Sequence, residues 1–121
     1  MLMAAHAFVE MAYEGMEAGY EAKDDRRIRD AAEKAWVSAL HAVDHAMERH
    51  DLIPEPGAMA HASRHRFLER AGRKDLSDQL SVFADYLHGR VFYFGDIPPR
   101  ERMGVGLEEV EQFIRSLSEE V

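Results

Sequence analysis

Apolar residues recur along this chain at spacings of three and four, and nowhere alternate as a half-buried strand requires; the pattern predicts five helical stretches and no strand. The first runs from about Met3 to Ala22. Val9, Tyr13, Met16 and Tyr20 make one stripe, and Ala12, Gly15 and Gly19 make a second, of small residues that permit close helix approach. Lys23-Asp24-Asp25 supplies a turn with an aspartate able to cap the next helix, and so short a connection makes the first two helices an antiparallel hairpin. The second helix, about Asp25 to His50, is the clearest. Ile28, Ala32, Ala35, Ala39, Ala42 and Ala46 run beside Trp36, Leu40, Val43 and Met47. Together they form an apolar arc about 160° wide, which implies neighbours along most of the helix.

Pro54 and Pro56 with Gly57 break the pattern. A shorter helix follows, about Ala58 to Ala71, with Gly72 placed to cap its end. The fourth starts at Asp75 or Ser77 and carries Leu76, Leu80, Phe83 and Leu87 on one stripe and Val82 and Tyr86 on another; Gly89 and Gly95 leave its end open. The stretch from Leu87 to Phe113, LHGRVFYFGDIPPRERMGVGLEEVEQF, reads as a helix, a corner at Pro98-Pro99 and a last helix bearing Leu107, Val110, Ile114, Leu117 and Val121, with Phe113 adjacent. Gly104 and Gly106 leave the start of that helix open. The expected architecture is all-α, an up-and-down bundle of four main helices plus one short helix, in a single domain over residues 1–121. Tyr86, Phe92, Tyr93 and Phe94 are too many aromatics for one narrow stripe. They point either to a self-association surface or to burial under the Pro98-Pro99 corner.

Composition narrows the function classes. The chain has no cysteine, so no disulfide, thiolate metal site or thiol nucleophile is available. Neither a signal peptide nor an apolar run approaching ~18 residues is read in it, and a cytoplasmic protein with no membrane partner is expected. A net charge of -8, from 23 acidic against 15 basic residues, opposes adhesion to nucleic acid over the whole surface. One local exception is the run Arg64, Arg66, Arg70, Arg73 and Lys74. Arg66, Arg70 and Arg73 share one helical face, either paired with acidic helices of the same fold or open as a patch for a nucleotide or an RNA backbone.

The hairpin GYEAKDDRRIRDAAEKAWVSALHAVDHAM resembles the first two helices of HEPN domains (higher eukaryotes and prokaryotes nucleotide-binding). LHGRVFYFGD followed by VGLEEVEQFIRSL resembles the ending of the archaeal PaREP branch of that fold. The resemblance implies a helical bundle that dimerises and that either accompanies a nucleotidyltransferase-type partner or cleaves RNA, and the surplus of aromatics puts Tyr86, Phe92, Tyr93 and Phe94 at the interface. In cleaving members an arginine precedes a histidine with about four to six residues between them on one helix, where histidine can shuttle a proton and arginine can steady phosphate. None of His6, His41, His45, His50, His61, His65 and His88 has an arginine at that spacing; Ser81 to Ala84 precede His88. The expectation is therefore a non-catalytic, homodimeric interaction module. The alternative is a divergent, metal-independent ribonuclease using His88, with Tyr93 near the dimer groove and the arginine supplied by Arg90 or by a second protomer.

Other chemistry is less well served. His41/His45 and His61/His65 have the i,i+4 spacing of metal-chelating pairs, but the first lies opposite the apolar arc, and neither comes with a Glu-x-x-His or His-Glu-x-x-His pattern, so no metal is expected. Asp44 stands three residues from His41, a spacing common in surface contacts. No nucleophile elbow or phosphate-binding loop occurs, and the glycines of Met103-Gly104-Val105-Gly106 do not follow a strand, so no cofactor is expected. Trp36, Met11, Met16 and Met47 read as core.

Overall fold

A computed structural model of the chain describes residues 2–121; Met1, part of the stretch read for a leader, lies outside them. The described residues are all-helical, without strands. Helix α1 spans Leu2–Ala22 and α2 spans Asp25–Arg49. A turn of 3-10 helix at Gly57–Met59 leads into α3, Ala60–Arg70. Helix α4, Lys74–Phe83, continues without a break into a π-helical segment, Ala84–Tyr93, and α5 spans Arg100–Glu120.

The hairpin of α1 and α2 forms because its turn is capped and its two faces fit closely. Asp24 accepts from the amides of Arg26 and Arg27 at 3.1 and 3.4 Å, satisfying donors that the first turn of α2 leaves open. The small-residue stripe of α1 lies on α2 in antiparallel order, Gly19 beside Ile28 and Gly15 beside Ala31, with Phe8 stacked on His41. At Gly19 the approach is too close for any side chain. A methyl group there would sit 2.7 Å from Ile28 Cγ1 and 3.0 Å from the Ile28 amide nitrogen.

Helix α2 lies at the centre, touching α1, α3, the π-helical segment and α5, as its wide arc predicts. Ile28, Ala32, Ala35, Trp36, Ala39, Ala42, Val43, Ala46 and Met47 are all buried, joined by Val9 and Met16 from α1 and by Leu76, Leu80, Phe83 and Leu87 from the fourth helix. Leu107, Val110, Phe113, Ile114 and Leu117 complete the core from α5, and α3 adds Phe67 and Leu68. Met11 is exposed, a correction to its place in the expected core, and Val82 faces outward.

Two boundaries left open by the glycines resolve in favour of longer helices. Gly104 and Gly106 lie inside α5, which begins directly after Pro99, and Gly89 lies inside the π-helical segment. The fourth helix ends at Gly95, whose φ of +68° reverses the chain so that the Asp96 amide donates to the Arg90 carbonyl at 2.9 Å. The Pro98-Pro99 corner is held to α1 by the Tyr20 hydroxyl, which donates to the Pro98 carbonyl, and by an ion pair between Arg100 and Glu17. Ile97 packs on the core there, while Tyr93 and Phe94 stay outside, 65% and 84% exposed.

Candidate functional site around Trp36

Three helical elements meet at Trp36. Its indole is 5% exposed, and two histidines distant in sequence lie against it: His61 of α3 at 5.9 Å between ring centres and His88 of the π-helical segment at 5.8 Å. One turn before Trp36 on α2, the Glu33 carboxylate meets His88 Nδ1 at 2.8 Å. That bond fixes the ring, making Nδ1 the protonated nitrogen and directing Nε2 away from Glu33. Phe92 stacks on the His88 ring at 6.0 Å and Tyr93 meets it edge-on at 5.0 Å.

The α3 side of the site carries a different set of charges. Arg64 grips Asp44 of α2 through two hydrogen bonds, 2.7 and 3.1 Å, with its side chain only 12% exposed. His65 Nδ1 lies 2.7 Å from the Ser77 hydroxyl of α4. Desolvation first, then the positive charge of Arg64 and the neighbouring imidazoles of His65 and His88, holds the His61 pKa below the usual histidine value. The lowered pKa disfavours the charged form of His61, while on the other element against the same indole the carboxylate of Glu33 orients the His88 ring.

Of the residues singled out in the sequence, His88 and Tyr93 come together and Arg90 does not join them. Arg90 turns to Asp96 at 3.3 Å in an exposed pair. The arginine that does reach this end is Arg29 of α2, which donates to the carbonyls of Phe92 at 2.8 Å and Tyr93 at 3.0 Å. Phe92, Tyr93 and Phe94 are grouped, but Tyr86 is not with them. Its ring lies under the Arg102 guanidinium at 4.3 Å, facing α5, with its hydroxyl buried, and burial raises its pKa.

The expected face of Arg66, Arg70 and Arg73 does not assemble, because the count assumed one helix through all three while α3 stops at Arg70 and Gly72 turns the chain. Arg73 forks onto Asp75 at 3.0 Å and reaches Glu120 at 3.1 Å, and these hydrogen bonds raise its pKa. Arg66 contacts Glu55 at 3.2 Å. Arg70 has no ion-pair partner among the described residues. The i,i+4 histidine pairs diverge as well. His41 goes to Phe8, His45 has a buried Nδ1, His61 goes to Trp36 and His65 to Ser77. Among the described residues no group of three or more His, Asp or Glu side chains is placed to hold a metal ion, and no helix is long and apolar enough to cross a membrane.

Reasoning from sequence missed Glu33, His61 and Arg29 as site residues and took Trp36 as core alone. A usable signal existed only for Glu33 and Trp36, which stand three apart on one side of α2. The chain matches no protein-family model, no characterised protein and no solved structure.

Proposed function

We propose that this chain is a non-catalytic, self-associating helical module of HEPN-like type, an up-and-down bundle of four main helices plus one short one. It works as a cytoplasmic homodimer beside a nucleotide- or RNA-handling protein such as a nucleotidyltransferase. The observation that carries the reading is the aromatic end of the fourth helix, where exposed Tyr93 and Phe94 adjoin Phe92 on backbone held by Arg29. Large exposed aromatics on a fixed support are what a two-fold contact needs, since one patch must meet its own copy and little side-chain freedom is then lost. The hairpin and the Leu-His-to-Phe-Tyr element that resemble HEPN proteins support the choice of partner class. Light scattering is expected to give twice the monomer mass, and Phe94→Asp with Tyr93→Asp to return the monomer. A monomer at micromolar concentration, or a dimer indifferent to both changes, refutes the proposal.

A second reading, a divergent metal-independent ribonuclease, is favoured by one specific arrangement: the carboxylate-oriented His88 and His61 on the same indole. Such a pair has the parts for proton transfer to and from a ribose hydroxyl and a leaving oxygen. Purified protein is assayed on RNA in the presence of chelator. Cleavage lost in both His88→Ala and His61→Ala establishes this reading, and no cleavage by the unaltered protein leaves the interaction module.

A further inference from the structure

The separation of Arg73 from Arg66 and Arg70 leaves those two in a distinct setting. They rim a cavity of about 190 Å³ between the end of α2, the proline-rich loop and α3. Its floor is apolar, made by Met47 and Phe67, both buried, and its outer wall is Leu52 and Ile53, with Ile53 85% exposed. A branched aliphatic side chain left in water beside a hydrophobic floor is an edge that a ligand tail can cover. At ~30 Å³ for each water, the cavity holds about six, which is room for an aliphatic chain of roughly as many carbons.

Charge at the rim decides the head group. Arg66 shares its charge with Glu55 at 3.2 Å, while Arg70 is exposed and pairs with no carboxylate among the described residues, so two arginines less one glutamate leave a single positive charge. The Ser63 hydroxyl is already engaged, accepting from the Glu55 amide and donating to the Ala60 carbonyl. A phosphate dianion or a run of RNA phosphates would crowd negative charge against Glu55. One carboxylate neutralises the site and fits the planar fork of Arg70.

We infer that the cavity between the proline-rich loop and α3 binds a small amphiphilic monoanion, a short-chain aliphatic carboxylate whose head pairs with Arg70 and whose tail lies on Phe67 and Met47 under Ile53. This site is separate from the aromatic end of the fourth helix and stands whether or not the chain dimerises.

The probe is hexanoate, titrated into the full chain and followed by amide chemical shifts. Hexanoate is expected to shift the signals of Ile53, Phe67 and Arg70 saturably, while acetate, which lacks the tail, and hexanol, which lacks the charge, do not. Arg70→Gln removes a charge-assisted hydrogen bond and is expected to weaken binding about tenfold or more. Ile53→Ser, on the exposed loop, weakens it through the tail. Both positions are at the surface, so unchanged helical circular dichroism shows that the variants fold. The inference is overturned if hexanoate leaves these signals in place, if acetate or hexanol does as well, or if both variants bind as the parent does. Tighter binding of hexyl phosphate than of hexanoate overturns the monoanion assignment.

Discussion

Replacing Gly19 and Gly104 by alanine, one at a time, makes the same chemical change in two helices and is expected to give opposite results. At Gly104 a methyl group meets nothing within 4 Å, so the change acts only on the backbone of α5. It should stabilise by about 0.5–1 kcal/mol, the helical cost of glycine relative to alanine. At Gly19 the same gain of about 1 kcal/mol is opposed by contact at 2.7 Å with Ile28 Cγ1 and 3.0 Å with the Ile28 nitrogen. The side chain has room to turn but the nitrogen does not. It belongs to the first turn of α2, hydrogen-bonded to the Asp24 carbonyl, and moving it disturbs the capped turn. Overpacking costs about 1–3 kcal/mol, and contact with fixed backbone puts this site in the upper part, about 2–3 kcal/mol, so the net loss after that gain should be about 1–2 kcal/mol. That corresponds to a fall of about 4–8 °C in Tm for a chain of this size. Urea titrations followed by far-ultraviolet circular dichroism measure both variants against the parent. A Gly19→Ala protein as stable as the parent, or a Gly104→Ala protein that loses as much as Gly19→Ala, would refute the packing argument.

Trp36→Ala should cost about 3–5 kcal/mol, since it empties the space between α2, α3 and the π-helical segment; ready quenching of the parent's tryptophan by iodide would contradict the burial on which this rests. His61 should titrate below the usual value of about 6.5 in a proton NMR experiment. With its folded pKa depressed, the unfolded chain binds the proton more readily, so the contribution of His61 to stability is present above about pH 6.5 and is lost as pH falls through the folded pKa; a midpoint at or above 6.5 removes the effect. Arg29→Met should speed hydrogen exchange at the Phe94, Gly95 and Asp96 amides by about tenfold or more, because the carbonyls at the end of the π-helical segment lose a charged donor. Unchanged exchange at these amides would mean that Arg29 does not hold that end.

The legible parts of the sequence were those governed by one period over a long run. Helix α2 shows this. Its alanine row and the Trp36, Val43 and Met47 row keep a 100° step for 25 residues, and almost every residue named from it is buried. Asp24 and Gly72 were legible as caps because their roles are local. Failure came where a helix ended or changed its winding. Arg73 was assigned to a face that α3 is too short to possess. Tyr86 was grouped with Phe92 to Phe94, although its ring is turned to Arg102 on α5. The bond from Glu33 to His88 spans 55 positions and the two ring contacts on Trp36 join three elements, and no periodicity within one helix contains such information.

The change of winding after Phe83 accounts for both the misgrouping and the site. In an α-helix the residue five positions on is rotated about 140° from the first, so Phe92 and Tyr93 could not both lie on His88. Here they do: Phe92 stacks on its ring and Tyr93 closes on its edge, while the Phe94 amide donates to the Gly89 carbonyl five residues back at 3.0 Å. The wider turn keeps Leu87 and Val91 buried, so the core face is continuous while the outer face is re-registered. Long π-helical runs are rare because their hydrogen bonds close a wider ring, and this one, of 10 residues, is supported from outside by the Arg29 guanidinium. Gly95 leaves space for that support, since a methyl group there would stand 3.3 Å from the guanidinium carbon. One device therefore sets the His88 ring between Glu33 and Trp36 and presents Tyr93 and Phe94 to solvent from the same few residues. Under the proposed self-association, a second copy seated on Tyr93 would also bear on His88 through the Tyr93 ring, so occupancy of that surface and the environment of the imidazole would change together.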